Sequence, residues 1–509
     1  MCGIAGIWGK CDEEILRAMM GRLVHRGPDA QGILRGPKRP VVLGHRRLAI
    51  MDPAGGNQPI RCQHGYRAIV ANGEIYNFRS LRSRLKDRHR FRTQNDSEAA
   101  LALYAERGTA CAADLDGMFA FAVADGDDLF VARDPIGIKP LYLGHRNGDV
   151  LFASEIKALV GLAADVTEFP PGSWFHSRIG TRAYYELPDR TPVNRTAEEH
   201  VALVRETLEQ SVTKRLMSDV PVGAFLSGGL DSSIIAALVR PHLDKLHTFS
   251  VGTEGSRDLE AARTVARHLD TIHHEYVLKP EEIAANLPEI LFRLESFDQD
   301  LVRSAIPCYF AARLASQEVK VILTGEGADE LFAGYWYYRD YTEPDLLHRE
   351  LRRSVRSLHN INLQRVDRMT MAHSIEGRVP FLDVEMIDLA QTIPPEFKLK
   401  TNGGPRPVEK WVLRKGCEDL LPAEIVWRDK EQFDEGSGTL DLLVDTVAHW
   451  MSPVEASQYS KRYPDAHLRS PEECLYHRIL CEMYADPLPV LENVARWSER
   501  PGSCGSRMN

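Results

Sequence analysis

Near residues 186–200, ELPDRTPVNRTAEEH, the spacing of apolar residues changes, and this limits the chain to two differently built parts. Before it, short apolar runs such as Val41–Leu43, Ala68–Val70, Met118–Val123, Leu129–Ala132 and Leu151–Ala153 are broken by Gly, Asn, Asp and Pro. That spacing predicts strands joined by turns, with helices around Ile15–Leu23 and Ser97–Arg107. After it, PVGAFL, TFSVG, HHEYVL and KVILTG each precede a helical stretch. Those helices are expected from Ser232, from near Asp258, over Pro280–Leu294 and from near Asp329. Strands alternating with helices imply a parallel sheet covered on both faces. Two prolines and several charges mark the linker, and Thr196 with Glu199 forms a capping box for the next helix. From near Asp345 onward the chain reads mainly helical and charged. The expectation is an α+β domain over 1–190 followed by an α/β domain over 191–509.

The formal net charge of −9 offers no basic footprint for nucleic acid. No apolar run approaches the ~20 residues that span a bilayer, and no basic-then-apolar leader opens the chain. Nine cysteines are scattered without any Cys-x-x-Cys pair, as expected of a reduced, cytoplasmic protein.

The chain opens MCGIAGIWG. Removal of Met1 would put a thiol and a free α-amine on one residue, Cys2. The amine, with a reference pKa of about 7.7–8.0, can take the thiol proton, and the thiolate can attack an acyl carbon.

Two glycine loops follow strands in the second part. SGGLDSS, from Ser227 to Ser233, opens a helix, and its glycines let backbone amides approach an anion. A carboxylate repels phosphate, so Asp231 makes sense as a Mg²⁺ ligand. TGEGADELFAGY, from Thr324 to Tyr335, places Asp329 at a helix start. Loops after strands of one sheet meet at its carboxyl edge, where such sheets bind ligands. One loop could hold a triphosphate and both acids could share Mg²⁺.

With these motifs go HRGPDAQG, GHRRLAIMD, NGEIYN, NDSE, RDPIGIKPLY, GRVPFLD and DKEQF, in collinear order. Together they resemble the glutamine-dependent asparagine synthetase family over nearly the whole chain. The resemblance implies an N-terminal-nucleophile glutaminase domain, a four-layer α/β/β/α sandwich. It also implies an ATP-pyrophosphatase-type synthetase domain, with ammonia passing between them through a tunnel. Cys2 matches the nucleophile, and Asn72 and Gly73 match the oxyanion hole. Arg47, Glu74 and Asp96 match residues that hold glutamine. Leu226, Ser227, Gly228, Gly229, Asp231, Ser232, Val251, Gly325 and Glu326 match the ATP and pyrophosphate site. Asp231 and Asp329 match the Mg²⁺ ligands, Glu326 also a proton-moving group at the acyl centre, and Lys430 a charge on the α-phosphate. The resemblance further implies a homodimer.

One segment departs from the pattern. The family usually carries Thr-Thr-[Ile/Val]-Arg-Ala-Ser along the aspartate site, where this chain reads Asp300-Leu301-Val302-Arg303-Ser304-Ala305. Arg303 could still hold a carboxylate, but an inward Asp300 would repel a dicarboxylate. Aspartate is therefore the first expectation for the acceptor, and another carboxylic acid, as in natural-product tailoring, is the alternative. A non-catalytic binding relative would be expected to lack Cys2, Asp231, Asp329 or Lys430, and all four are present.

Overall fold

The computed structural model describes residues 2–10, 12–35, 40–63, 65–401, 407–429, 436–439, 443, 447 and 449–497. The first part forms two six-stranded antiparallel sheets. In chain order their strands are β1 (Cys2–Trp8), β2 (Ala30–Arg35), β3 (Val41–Arg47), β4 (Ile60–Arg61), β5 (Arg67–Ile75), β6 (Gly117–Asp125), β7 (Asp128–Arg133), β8 (Tyr142–Arg146), β9 (Asp149–Ala153), β10 (Ala164–Glu168), β11 (Ser173–His176) and β12 (Gly180–Ala183). One sheet runs β10-β8-β9-β1-β3-β2 and the other β12-β11-β7-β6-β5-β4.

Side-chain alternation sorts these strands into layers. Ile4, Val41 and Leu43 of the first sheet pack on Ala68, Val70, Ala120 and Ala122 of the second. The opposite faces meet helices. Ala5 and Ile7 pack with Leu16, Met19 and Met20 of α1 (Glu13–Gly21). Ile69 and Ile75 pack with residues of α2 (Phe78–Leu85) and α3 (Ser97–Arg107). The result is a helix–sheet–sheet–helix sandwich. Cys2 lies two residues before Ile4, so it shares the inward face, and Arg47 is its direct partner in the β1–β3 register. Asn72 and Glu74 continue the inward row of Ala68 and Val70. Alternation alone thus collects Cys2, Arg47, Asn72 and Glu74 at one end of the space between the sheets.

The second part opens with α4 (Ala197–Lys214), whose capping box is formed by Glu199 N to Thr196 Oγ1 at 3.2 Å and Thr196 N to Glu199 Oε2 at 2.8 Å. Its sheet is fully parallel, ordered β15-β14-β13-β16-β17, from β13 (Val222–Phe225), β14 (His247–Gly252), β15 (Ile272–Val277), β16 (Val321–Leu323) and β17 (Glu376–Arg378). Helices α5 (Leu230–Val239), α6 (Arg257–Leu269), α7 (Pro280–Leu294), α8 (Gln299–Ala315), α9 (Ala328–Phe332), α10 (Pro344–Arg356) and α11 (Asn362–Met371) connect or cover it. Helix α5 starts two residues before the expected Ser232, because Gly229 is the last extended residue ahead of it. Strand β17 has no sequence signal: it is three residues long and made of Glu, Gly and Arg. It exists because β16 offers a ladder edge. Among the described residues no helix is long and apolar enough to cross a membrane, and the seven described cysteines are free.

The two parts are joined by buried charge. Arg26, fully buried, donates from Nη1 to Glu155 Oε1 and Asp367 Oδ2, both at 2.7 Å, and from Nη2 to Asp367 Oδ1 at 3.1 Å. Lys157 Nζ lies 2.7 Å from Glu155 and 3.0 Å from Glu295, and Arg368 Nη2 lies 2.7 Å from Glu295. Three cations thus face three carboxylates, with one half of the cluster from each part. Removing one member of such a set strands the others without water. We expect Arg26→Ala to cost about 3–5 kcal/mol, read as a lower denaturation midpoint, whereas Arg17→Ala at an exposed surface pair should move it little.

Candidate functional site

The inward residues of the first part line a narrow cavity that includes Cys2, Arg47, Gly73, Glu74, Asn95 and Asp96. Cys2 N donates to Asn72 Oδ1 at 2.9 Å. An N–H requires an acceptor, so this bond fixes the amide's orientation. Asn72 Nδ2 is then a buried donor with no partner among the described residues, next to the Cys2 backbone. Gly73 has φ +138°, and a Cβ there would lie 1.9 Å from Met118 O. Only glycine lets the strand pass at this point. Arg47 is anchored from behind by Pro53 O at 3.0 Å, Asn57 Oδ1 at 2.8 Å and Asp52 O at 2.7 Å. Asp96 precedes α3 and accepts from Ile75 N at 2.6 Å, which ties it to the strand that carries Asn72 and Glu74. Gln58 accepts from Ala71 N at 2.7 Å on the same wall.

Burial dominates the ionisation of this cavity. It pushes the Cys2 thiol up and raises Asp96 to about 6. Glu74 is held well above the usual carboxylate range by burial and by the nearby Glu376 and Asp96. Burial also acts on Glu376, but surrounding cations, Arg378 and Lys139 among them, hold it down at about 2. Glu376 and Arg378 belong to β17 of the second part, so the charge balance of the cavity is set across the seam. Nothing local in the sequence connects these two residues with the first site, because the contact spans some 300 residues.

The glycine loops meet in the second part. Ser227 Oγ bonds Ser232 Oγ at 2.9 Å and takes Gly229 N–H at 3.3 Å. A Cβ on Gly228, at φ +75°, would sit 2.6 Å from Asp258 O. Leu226 and Val251 are buried at the ends of their strands. Gly325 packs on Asp231, where a Cβ would come within 2.7 Å. Asp231 Oδ2 and Asp329 Oδ1 lie 2.5 and 2.6 Å from the same Lys410 Nζ. The two carboxylates therefore converge on one point, an arrangement that fits Mg²⁺, which takes one or two carboxylates plus phosphate oxygens. Lys410 was not singled out in the sequence. Its left-handed backbone, φ +53° and ψ +30°, between β-structure and the helix Trp411–Gly416, gives no motif to read.

Glu326 pairs with Arg365 of α11. Arg303 forks onto Glu472 of the helix Pro471–Met483, with Nε to Oε2 at 2.9 Å and Nη2 to Oε1 at 2.5 Å. Asp300 is partly exposed, 3.8 Å from Arg303 and 3.9 Å from Arg469. Lys430 lies outside the described residues, but the chain beside it runs past the first loop: Arg428 Nη1 donates to Gly228 O at 3.2 Å, and Thr253 N donates to Ser437 O at 2.8 Å. The structure thus gathers Cys2, Arg47, Asn72, Gly73, Glu74 and Asp96 in one place, and Asp231 and Asp329 in another. We expect Gly73→Ala to lower the melting temperature and to distort the cavity, because both the dihedral and the Met118 contact forbid a side chain; intact stability and cavity chemistry in that variant would refute this placement.

Residues 1–174 match the family described as glutamine amidotransferase domain, and residues 203–346 and 339–496 match asparagine synthase. The chain is 38% identical to asparagine synthetase B [glutamine-hydrolyzing] of Escherichia coli, over 96% of this chain and 92% of that one. It is 36% identical to a probable asparagine synthetase [glutamine-hydrolyzing] of Dictyostelium discoideum, covering 98% and 96%. It is 39% identical to asparagine synthetase [glutamine-hydrolyzing] 3 of Arabidopsis thaliana, covering 95% and 87%. With the Cys2 strand, the layered sandwich and the paired glycine loops in place, these matches show that the chain belongs to the glutamine-hydrolysing asparagine synthetase family.

Proposed function

We propose that this chain is a carbon–nitrogen ligase that makes asparagine from aspartate, with glutamine as nitrogen donor and ATP as activator. The observation that carries the first half of this reading is Asn72: its Oδ1 is committed to Cys2 N–H, so its Nδ2 is free to face the developing oxyanion. After removal of Met1, the α-amine of Cys2 takes the thiol proton. The thiolate attacks the glutamine amide carbon, and Asn72 Nδ2 with the Gly73 N–H stabilises the negative oxygen. Collapse expels ammonia, and water cleaves the thioester to glutamate. Arg47 can take the glutamine α-carboxylate, while Glu74 and Asp96 can take its ammonium.

In the second half, the substrate carboxylate attacks the α-phosphorus of ATP and pyrophosphate leaves. Ammonia then adds to the acyl-adenylate and AMP leaves. Asp231 and Asp329 would hold Mg²⁺, which when bound neutralises pyrophosphate charge. The backbone of residues 227–229 would cradle the phosphates, and Glu326 would move protons as ammonia adds. Lys430 is assigned to the α-phosphate by its motif.

A second reading, amidation of another carboxylic acid, is favoured by one observation: the Arg303 fork is already taken by Glu472, and Leu301 and Asp300 replace two hydroxyl residues. The deciding experiment is mass spectrometry of products from glutamine, ATP and Mg²⁺ with and without aspartate. Asparagine with AMP only when aspartate is present supports the first reading. Glutamate without asparagine rejects it and favours the second.

Cys2→Ala should abolish glutamate release while amide formation from ammonium salts persists. Asn72→Ala should lower kcat for glutamate release by about 10²–10³. Asp96, raised to about 6, gains its proton as pH falls through that value and loses its attraction for an ammonium. The KM for glutamine should therefore rise below pH 6, and a KM flat from pH 5 to 8 would remove Asp96 from this role. Size-exclusion chromatography tests the expected homodimer, which a monomer at working concentration would reject.

A further inference from the structure

Arg378 of β17, a strand of the sheet that carries the nucleotide loops, reaches across to Glu74 of the glutamine cavity. It is fully buried. Its Nε donates to Glu376 Oε1 at 2.6 Å, and its Nη1 donates to Arg215 O at 2.5 Å and Met217 O at 2.6 Å. These bonds lock the guanidinium in place. The remaining Nη2 is aimed at the first part, 3.6 Å from Glu74 Oε1. That is an ion-pair distance but not a hydrogen bond. Among the described residues neither Arg378 Nη2 nor Glu74 Oε2, both buried, has a hydrogen-bond partner, an unusual cost in a well-packed seam. The backbone of the same residue faces the other way: Arg378 O accepts from Thr324 N at 3.0 Å, and Thr324 opens the loop that carries Glu326. Lys139 of the first part donates to the neighbouring Gly377 O at 3.3 Å, which fixes β17 against the cavity wall.

We propose that Arg378 is a positioning residue for glutamine hydrolysis, holding the Glu74 carboxylate ready for the substrate's ammonium and tying its place to the loop that begins at Thr324. The inference rests on the reading of Glu74 as a glutamine-binding residue. Its physical basis is charge. Glu74, Asp96 and Glu376 are three buried acids within electrostatic range of one another, and without a cation such a group retains protons. A protonated Glu74 has nothing to offer an ammonium. Burial and the two neighbouring acids hold Glu74 high, and Arg378 is the fixed charge that pulls it back toward the carboxylate; only a planar fork can serve Glu376, two carbonyls and Glu74 together.

The test measures glutamate release by the full-length enzyme without ATP, in wild type, Arg378→Lys, Arg378→Met, Glu74→Gln and the double variant Arg378→Lys/Glu74→Gln. Arg378→Lys keeps the charge and loses the fork. It should raise the KM for glutamine about tenfold with kcat at saturation changed less than about threefold, and Arg378→Met should raise KM further. Because Arg378 acts through Glu74, the lysine change should add little in the Glu74→Gln background. Two results would overturn the proposal: an unchanged KM in Arg378→Lys, or the same rise with and without Glu74. A fall in kcat alone with KM kept would mark Arg378 as structural. If Glu74→Gln itself leaves KM unchanged, the assignment of Glu74 to glutamine is what fails.

Discussion

The buried cluster of Arg26, Lys157 and Arg368 with Glu155, Glu295 and Asp367 governs the whole arrangement. Six charges out of water are tolerated only when each is paired and hydrogen-bonded, so the two parts have one relative placement that satisfies them. Cys2 is included in this arrangement. Arg26 Nε donates to the carbonyl of Cys2 at 3.1 Å, while Asn72 holds the amide on its other side. The backbone that carries the thiol is thus gripped by a side chain whose own position depends on Asp367 of the second part.

Around that seam, two ordinary rules build the sites. Period-two alternation in β1, β3 and β5 turns Cys2, Arg47, Asn72 and Glu74 inward at the mouth of a dry interlayer core. In the parallel sheet, glycines after β13 and β16 let the chain turn tightly into helices, and Asp231 and Asp329 converge on Lys410. Neither site needs unusual secondary structure. Each needs close backbone approach at one or two positions, and there the side chain is missing: Gly73 against Met118 O, Gly228 against Asp258 O.

How much of this the sequence disclosed follows from the range of the forces involved. Cys2, the NGEIYN strand, the capping box at Thr196 and the two glycine loops are local patterns, and local patterns are legible. The outward and inward faces of β5 follow from alternation once the strand is recognised. Strand β17 is invisible because Glu376, Gly377 and Arg378 have no apolar periodicity, and its stability comes from pairing with β16. Lys410 looked like any basic residue until the loops brought two carboxylates to it. The fork of Arg303 on Glu472 joins residues 169 positions apart, and no spacing rule anticipates it. Asp300, which the sequence left able to face either way, stands among arginines at a partly exposed helix start.

The charged seam also bears on how such a gene can change. A crossover at the linker near residue 190 looks harmless in sequence, since proline and charge there tolerate variation. Yet a recombinant would bring together an Arg26–Glu155–Lys157 face and a Glu295–Asp367–Arg368 face that had not been selected as a pair, and any mismatch leaves a bare ion in a dry interface. The boundary visible in the chain is therefore a poor breakpoint for inheritance. Shuffled or grafted enzymes of this architecture should survive when the cut is drawn around the charge cluster, so that both faces come from one parent.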